Sequence, residues 1–147
     1  MKRLHALTGC AIALLGSLLL AQTNSAAATG NGDPVKGKQI FEKRCSGCHS
    51  MEQDREGREG PRLHGVFGGR SGEVPGFPYS DALKNAHILW DEKSLDQWLT
   101  DPDTLVPGNN MGFHVAQHDE RRDLIRFLRQ ISADAVQIKP TAITRNG

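Results

Sequence analysis

KRCSGCHSMEQDREGREGPRLHG, residues 43–65, holds two of the chain's three cysteines and a histidine directly after the second, then a run of charges and glycines. Cys45-Ser46-Gly47-Cys48-His49 admits three chemistries: a redox pair, half of a zinc site, or an anchor for haem. Which one applies depends first on where the chain works.

Met1-Lys2-Arg3 is a short basic start, Leu4 to Ala21 is almost unbroken apolar sequence, and Gln22 to Ala28 ends in small residues. That is the layout of a secretory signal peptide over residues 1–28. Retention as a membrane anchor is the alternative, but the apolar stretch is at the short end of the ~17–25 residues that a span needs. Leu7-Thr8-Gly9-Cys10 resembles a lipoprotein box, although the apolar stretch before Cys10 is too short for one. Export with cleavage predicts a periplasmic chain with no membrane span.

Cleavage removes Lys2 and Arg3 from 18 basic side chains and nothing from 17 acidic ones, so the mature chain is close to neutral. Nothing in that balance suggests a partner for nucleic acid or a membrane surface. Cys10 departs as well, and only Cys45 and Cys48 remain, so no disulfide framework is possible. Roughly 119 residues make one domain with few aromatics and much glycine. A core that thin gains from a large buried apolar cofactor.

The three chemistries can now be weighed. A thioredoxin-like pair belongs in a βαβ setting, and the flanks here read as helix and loop. Tetrahedral zinc needs a second pair of ligands, and the remaining candidates are His64, His87, His114 and His118, of which only the last two share a helical interval. The C-x-x-C-H spacing suits haem: thiols on one tight turn reach the two vinyl groups on one side of a porphyrin, and the next histidine falls beneath the iron. Cys45 and Cys48 are therefore read as thioether anchors and His49 as an axial ligand.

Strand signals are nearly absent, which predicts an all-α fold. Asp33-Pro34-Val35 opens a helix that runs toward Cys45 with Ile40 and Phe41 on its apolar side. Gly37 inside it costs about 1 kcal/mol relative to Ala and hints at a close crossing. Its expected partner begins at Asp119-Glu120 and carries Leu124, Ile125, Phe127, Leu128 and Ile131, with Arg121, Arg122, Arg126 and Arg129 read as a solvated face. Ser80 to Lys84 and Asp91 to Thr100 read as short helices, the latter with Leu95, Trp98 and Leu99 clustered and Asp101-Pro102 as its stop. From Asp103 to Met111 a loop is expected, broken by Pro107-Gly108.

Over residues 32–131 the chain resembles a class I cytochrome c. The resemblance rests on Cys45 to His49, Gly60-Pro61-Arg62-Leu63-His64-Gly65, Pro75-Gly76-Phe77-Pro78-Tyr79-Ser80, Trp90 and Pro107-Gly108-Asn109-Asn110-Met111, in order and near the family's spacing. It implies terminal helices crossing through Gly37, Phe41, Phe127 and Leu128, with short helices and loops wrapped around one covalent haem c. It also implies Met111 as the second axial ligand and Pro61 as the carbonyl that accepts from the proximal imidazole. Tyr79 and Trp90 would bond a buried propionate with Ser80 assisting, their other reading being aromatic core. Trp98 stands where the family commonly has a tyrosine near the methionine sulfur, Leu83 where it often has an asparagine, and Gly69 where it often has an arginine, with Arg70 next door.

The function implied is a soluble electron carrier, a monomer and not an enzyme, that exchanges electrons with redox partner proteins. The thioether ligand and a dry pocket imply a high potential. The alternative is a haem protein whose methionine dissociates for small-ligand sensing or peroxidase-like chemistry, with His114 able to replace it. Asp103, Thr104 and Asn110 occupy positions that carry lysines in mitochondrial relatives, while Lys43 and Arg44 remain, which argues against a strongly acidic partner. Residues 132–147 are read as a flexible or loosely packed extension.

Overall fold

The computed structural model describes residues 32–52 and 59–137. The expected signal segment 1–28 and the charged residues 53–58 lie outside the described residues. Among the described residues five helices appear in the order α1 (Pro34–Arg44), α2 (Asp81–Asn85), α3 (Glu92–Thr100), α4 (Pro102–Leu105) and α5 (His118–Gln137). Among the described residues no strand forms, only an isolated antiparallel bridge between Arg70 and Leu89.

Asp33 caps α1 by accepting from the Val35 N–H at 2.9 Å, with Pro34 in the first turn where a missing N–H costs nothing. Its own N–H donates to Asp123 Oδ1 at 2.7 Å, which ties the start of α1 to α5. The two helices cross at Gly37. A Cβ built there would collide with the Asp123 carbonyl oxygen and stand 2.7 Å from Phe127 Cβ. Glycine is thus what lets the backbones approach. Phe41, almost fully buried, meets Phe127 with ring centroids 5.9 Å apart. Burying that ring is worth about 2–3 kcal/mol.

α3 lies against α5 and supplies Leu95, Trp98 and Leu99 to the same core, which also takes in Trp90, Val106, Val115, Leu124, Ile125 and Leu128. A capping box between Asp91 and Ser94 fixes where α3 begins.

Three expectations need correction. Pro102 does end α3, but it also begins a turn of helix: Asp101 accepts from the Thr104 N–H at 3.1 Å and caps α4, within what was expected to be loop. α5 does not end at Ile131 but runs to Gln137. Ser132 is buried and its hydroxyl accepts from the Phe67 N–H at 3.0 Å while donating to the Leu128 carbonyl, so the start of the supposed extension is anchored helix. Residues 138–147 lie outside the described residues. Arg121, finally, is not on a solvated face but only 8% exposed.

Candidate haem site

α1 ends at the motif. Cys45 is its C-cap, with its N–H on the Phe41 carbonyl at 2.8 Å, and the N–H groups of Cys48 and His49 return to the Cys45 carbonyl at 3.1 and 2.9 Å. This tight turn presents two free thiols and an imidazole from five consecutive residues. Cys45 is half-buried, and burial pushes its thiol up to about 11 against the opposing pull of Arg44. Cys48 is exposed; desolvation and then its hydrogen bond to the Glu59 carboxylate raise its thiol as well.

His49 is held from the facing segment. Gly60 and Leu63 donate to the Cys48 and Ser50 carbonyls at 3.1 and 2.7 Å, which brings Pro61 beneath the ring. His49 Nδ1 lies 2.7 Å from the Pro61 carbonyl oxygen. A carbonyl can only accept, so Nδ1 carries the proton and Nε2 keeps its lone pair. Burial lowers the imidazole below its ordinary value, which favours the neutral ring, and the Pro61 bond works against that shift.

Beyond the motif, Trp90 is anchored by reciprocal backbone bonds, Gly68 N–H to the Trp90 carbonyl at 2.7 Å and Trp90 N–H to the Gly69 carbonyl at 2.9 Å. Its ring tilts against Trp98 at 5.5 Å, and both indoles are buried. Tyr79 stacks edge-on against Phe77 at 4.8 Å. The Ser80 hydroxyl accepts from Leu83 N–H at 3.2 Å as the cap of α2, a use that leaves its own proton for a further acceptor. Met111 is half-buried against the core, and its N–H donates to Asn109 Oδ1 at 2.7 Å.

Two residues of this region escaped the sequence reading. Asn109 was read only as part of the Pro107-to-Met111 motif, with no role for its side chain. Arg121 had a periodic signal, since Leu124, Ile125 and Leu128 follow it at three, four and seven residues and place it on the buried stripe of α5. Its Nε pairs with Asp96 at 2.7 Å and one Nη donates to the Val115 and Ala116 carbonyls at 3.0 and 2.9 Å, pinning the segment after Met111 to α3.

These residues fit a covalently held haem. Two unpaired thiols stand on one turn and an imidazole offers Nε2 alone. Met51, Leu63, Val66, Phe67, Leu83, Ile88 and Leu105 each pack against the core yet stay only partly covered. Among the described residues no group of three or more His, Cys, Asp or Glu is arranged to hold a metal ion, so the zinc reading finds no ligand set there.

Fold and site together define an all-helical c-type haem protein. The family model for cytochrome c matches residues 34–132. Cytochrome c2 of Rhodomicrobium vannielii is 42% identical over 118 residues, covering 80% of this chain and 91% of that protein. Cytochrome c of Euglena viridis is 42% identical over 101 residues, covering 68% and 98%. Among solved structures, cytochrome cH from Methylobacterium extorquens superposes with a TM-score of 0.62 at 38% identity, covering 67% of this chain and 99% of that one. The chain belongs to the cytochrome c family, with the class I fold, and is a monohaem electron carrier rather than an enzyme, its cofactor haem c. Among the described residues no helix is long and apolar enough to cross a membrane.

Proposed function

We propose that Cys45 and Cys48 anchor the haem through thioethers, that His49 and Met111 are its axial ligands, and that the chain shuttles single electrons between redox proteins in the periplasm as a monomer after loss of residues 1–28. The bound iron would supply a one-electron couple, and Cys45, Cys48, His49 and Met111 would hold it. The observation that carries this reading is the His49–Pro61 bond, which fixes the ring and reserves Nε2 for the metal side. Trp90 and Trp98 exclude water from one wall, and Tyr79, Ser80 and Trp90 provide donors for a buried carboxylate.

The test is spectroscopic. The purified holoprotein should show a methionine-to-ferric-iron absorption band in the red. Met111→Ala should keep the covalent haem, lose that band, lower the potential and bind carbon monoxide readily in the ferrous state. Unchanged potential and unchanged exclusion of carbon monoxide in that variant would instead make a histidine, with His114 nearest in sequence, the sixth ligand.

A further inference from the structure

Asn109 precedes Met111 by two residues and uses both ends of its amide. Oδ1 accepts from the Met111 N–H at 2.7 Å, while Nδ2 donates to Asp103 Oδ1 at 2.9 Å and to the Val106 carbonyl at 3.0 Å. The orientation follows from chemistry, because a carboxylate and a carbonyl can only accept and a backbone N–H can only donate. Asp103 and Val106 therefore turn the amide so that its oxygen faces Met111.

The support beneath them is firm. Asp101 caps α4 through the Thr104 N–H and also accepts from the Thr104 hydroxyl at 2.7 Å; Pro102 and Val106 are buried, and the Val106 N–H closes on the Pro102 carbonyl at 2.8 Å. Between this turn and Met111 the chain passes through Pro107, which has no N–H, and Gly108 at φ 86°. The Asn109 side chain is the strut across that weak stretch.

We infer that Asn109 is a positioning residue for the Met111 thioether, oriented by Asp103, and that this pair sets how readily the methionine yields its place to an external ligand. The inference rests on the reading of Met111 as sixth ligand. Neither residue touches the metal; both act through the backbone of Met111.

The test uses holoprotein and imidazole as the competing ligand, with the red band and the midpoint potential as further readouts. Asn109→Ala should raise the affinity of the ferric protein for imidazole roughly tenfold, the equivalent of one lost hydrogen bond, weaken the red band and lower the potential. Asn109→Asp, which puts a carboxylate against Asp103 at nearly constant volume, should do the same and serves if the alanine variant accumulates poorly. Asp103→Ala should have a smaller effect in the same direction, and Asp103→Asn, whose Oδ1 still accepts, should recover most of the native behaviour. Native imidazole affinity, band and potential in both Asn109 variants would overturn the inference, as would Asp103→Asn behaving no better than Asp103→Ala. A red band that survives Met111→Ala would defeat the ligand assignment itself; a band lost in Met111→Ala but native in the Asn109 variants would defeat only the strut.

Discussion

Gly60 lies against the imidazole of His49 so closely that a Cβ there would stand 2.6 Å from Nδ1 and 2.8 Å from Nε2. The glycine is a condition for the ring's position, because its neighbour Pro61 holds the same ring by its carbonyl. Gly60→Ala must push the imidazole aside or separate the two segments. The expected result is lower holoprotein yield and a shifted potential in what forms, checked by haem-stained gels and redox titration; native yield and potential would show that the ring can move without consequence.

The helix crossing makes a prediction whose sign depends on magnitudes. By propensity alone Gly37→Ala should stabilise α1 by about 1 kcal/mol. The methyl would, however, meet the Asp123 carbonyl, a backbone group in the second turn of α5 that cannot rotate away. Overpacking of that kind costs roughly 1–3 kcal/mol. The overpacking cost at least cancels the propensity gain, so urea denaturation should show a net loss of up to about 2 kcal/mol.

His87 points the other way. It follows the C-cap of α2 with φ 51°, a left-handed conformation at the position where helices most often place glycine. Its side chain is exposed. His87→Gly should relieve more strain than it adds in unfolded-state entropy, a gain of about 0.5–1 kcal/mol in the same urea assay.

What the sequence discloses follows from the range of the forces involved. The turn that gathers Cys45, Cys48 and His49 was legible because its residues lie within five positions of one another, and α1 and α5 were legible because burial selects Phe41, Leu124 and Leu128 for their inner faces. Arg121 was misread by its charge although its spacing put it on the buried stripe; the carbonyls of Val115 and Ala116 and the Asp96 carboxylate make that burial tolerable. α5 outran its last bulky residue because Ser132 is held by a hydroxyl bond to Phe67, which no hydropathy pattern records. The Asn109–Asp103 contact joins two polar loop residues with no periodicity at all, so only the folded chain reveals it.

Acid should loosen the starts of α3 and α4 through their two caps. The Ser94 backbone N–H, and then its hydroxyl, hold the Asp91 carboxyl below its ordinary 3.8. The Thr104 hydroxyl and N–H do the same for Asp101. A carboxyl with a lower pKa folded than unfolded stabilises above the unfolded value and loses that contribution as pH falls through the folded one. Stability should thus be level near pH 5 and decline below about pH 4. Asp101→Asn should lower stability at pH 5 and flatten the decline; an acid limb of unchanged steepness would remove Asp101 from its cause.

Electron transfer to the native partner should depend only weakly on salt. Steering of the encounter needs uncompensated charge of one sign, screened within about 10 Å at 0.1 M ionic strength. Arg44, the cation next to Cys45, is already engaged: its guanidinium bonds Glu120 at 2.6 Å and lies 5.2 Å from the ring centre of Phe113, itself 36% exposed. Across the Met111 loop stand Asp103 and Asn110 instead of cations, so apolar contact should carry more of the docking. Asp103→Lys is a poor probe of this, because Asp103 holds Asn109. Asn110 is exposed, and Asn110→Lys changes the charge beside Met111 while leaving both of those residues in place. That variant should react faster with an acidic oxidase of the mitochondrial type and do so with a new dependence on salt. A native rate that falls steeply between about 0.01 and 0.1 M salt would require a charged docking face elsewhere on the chain.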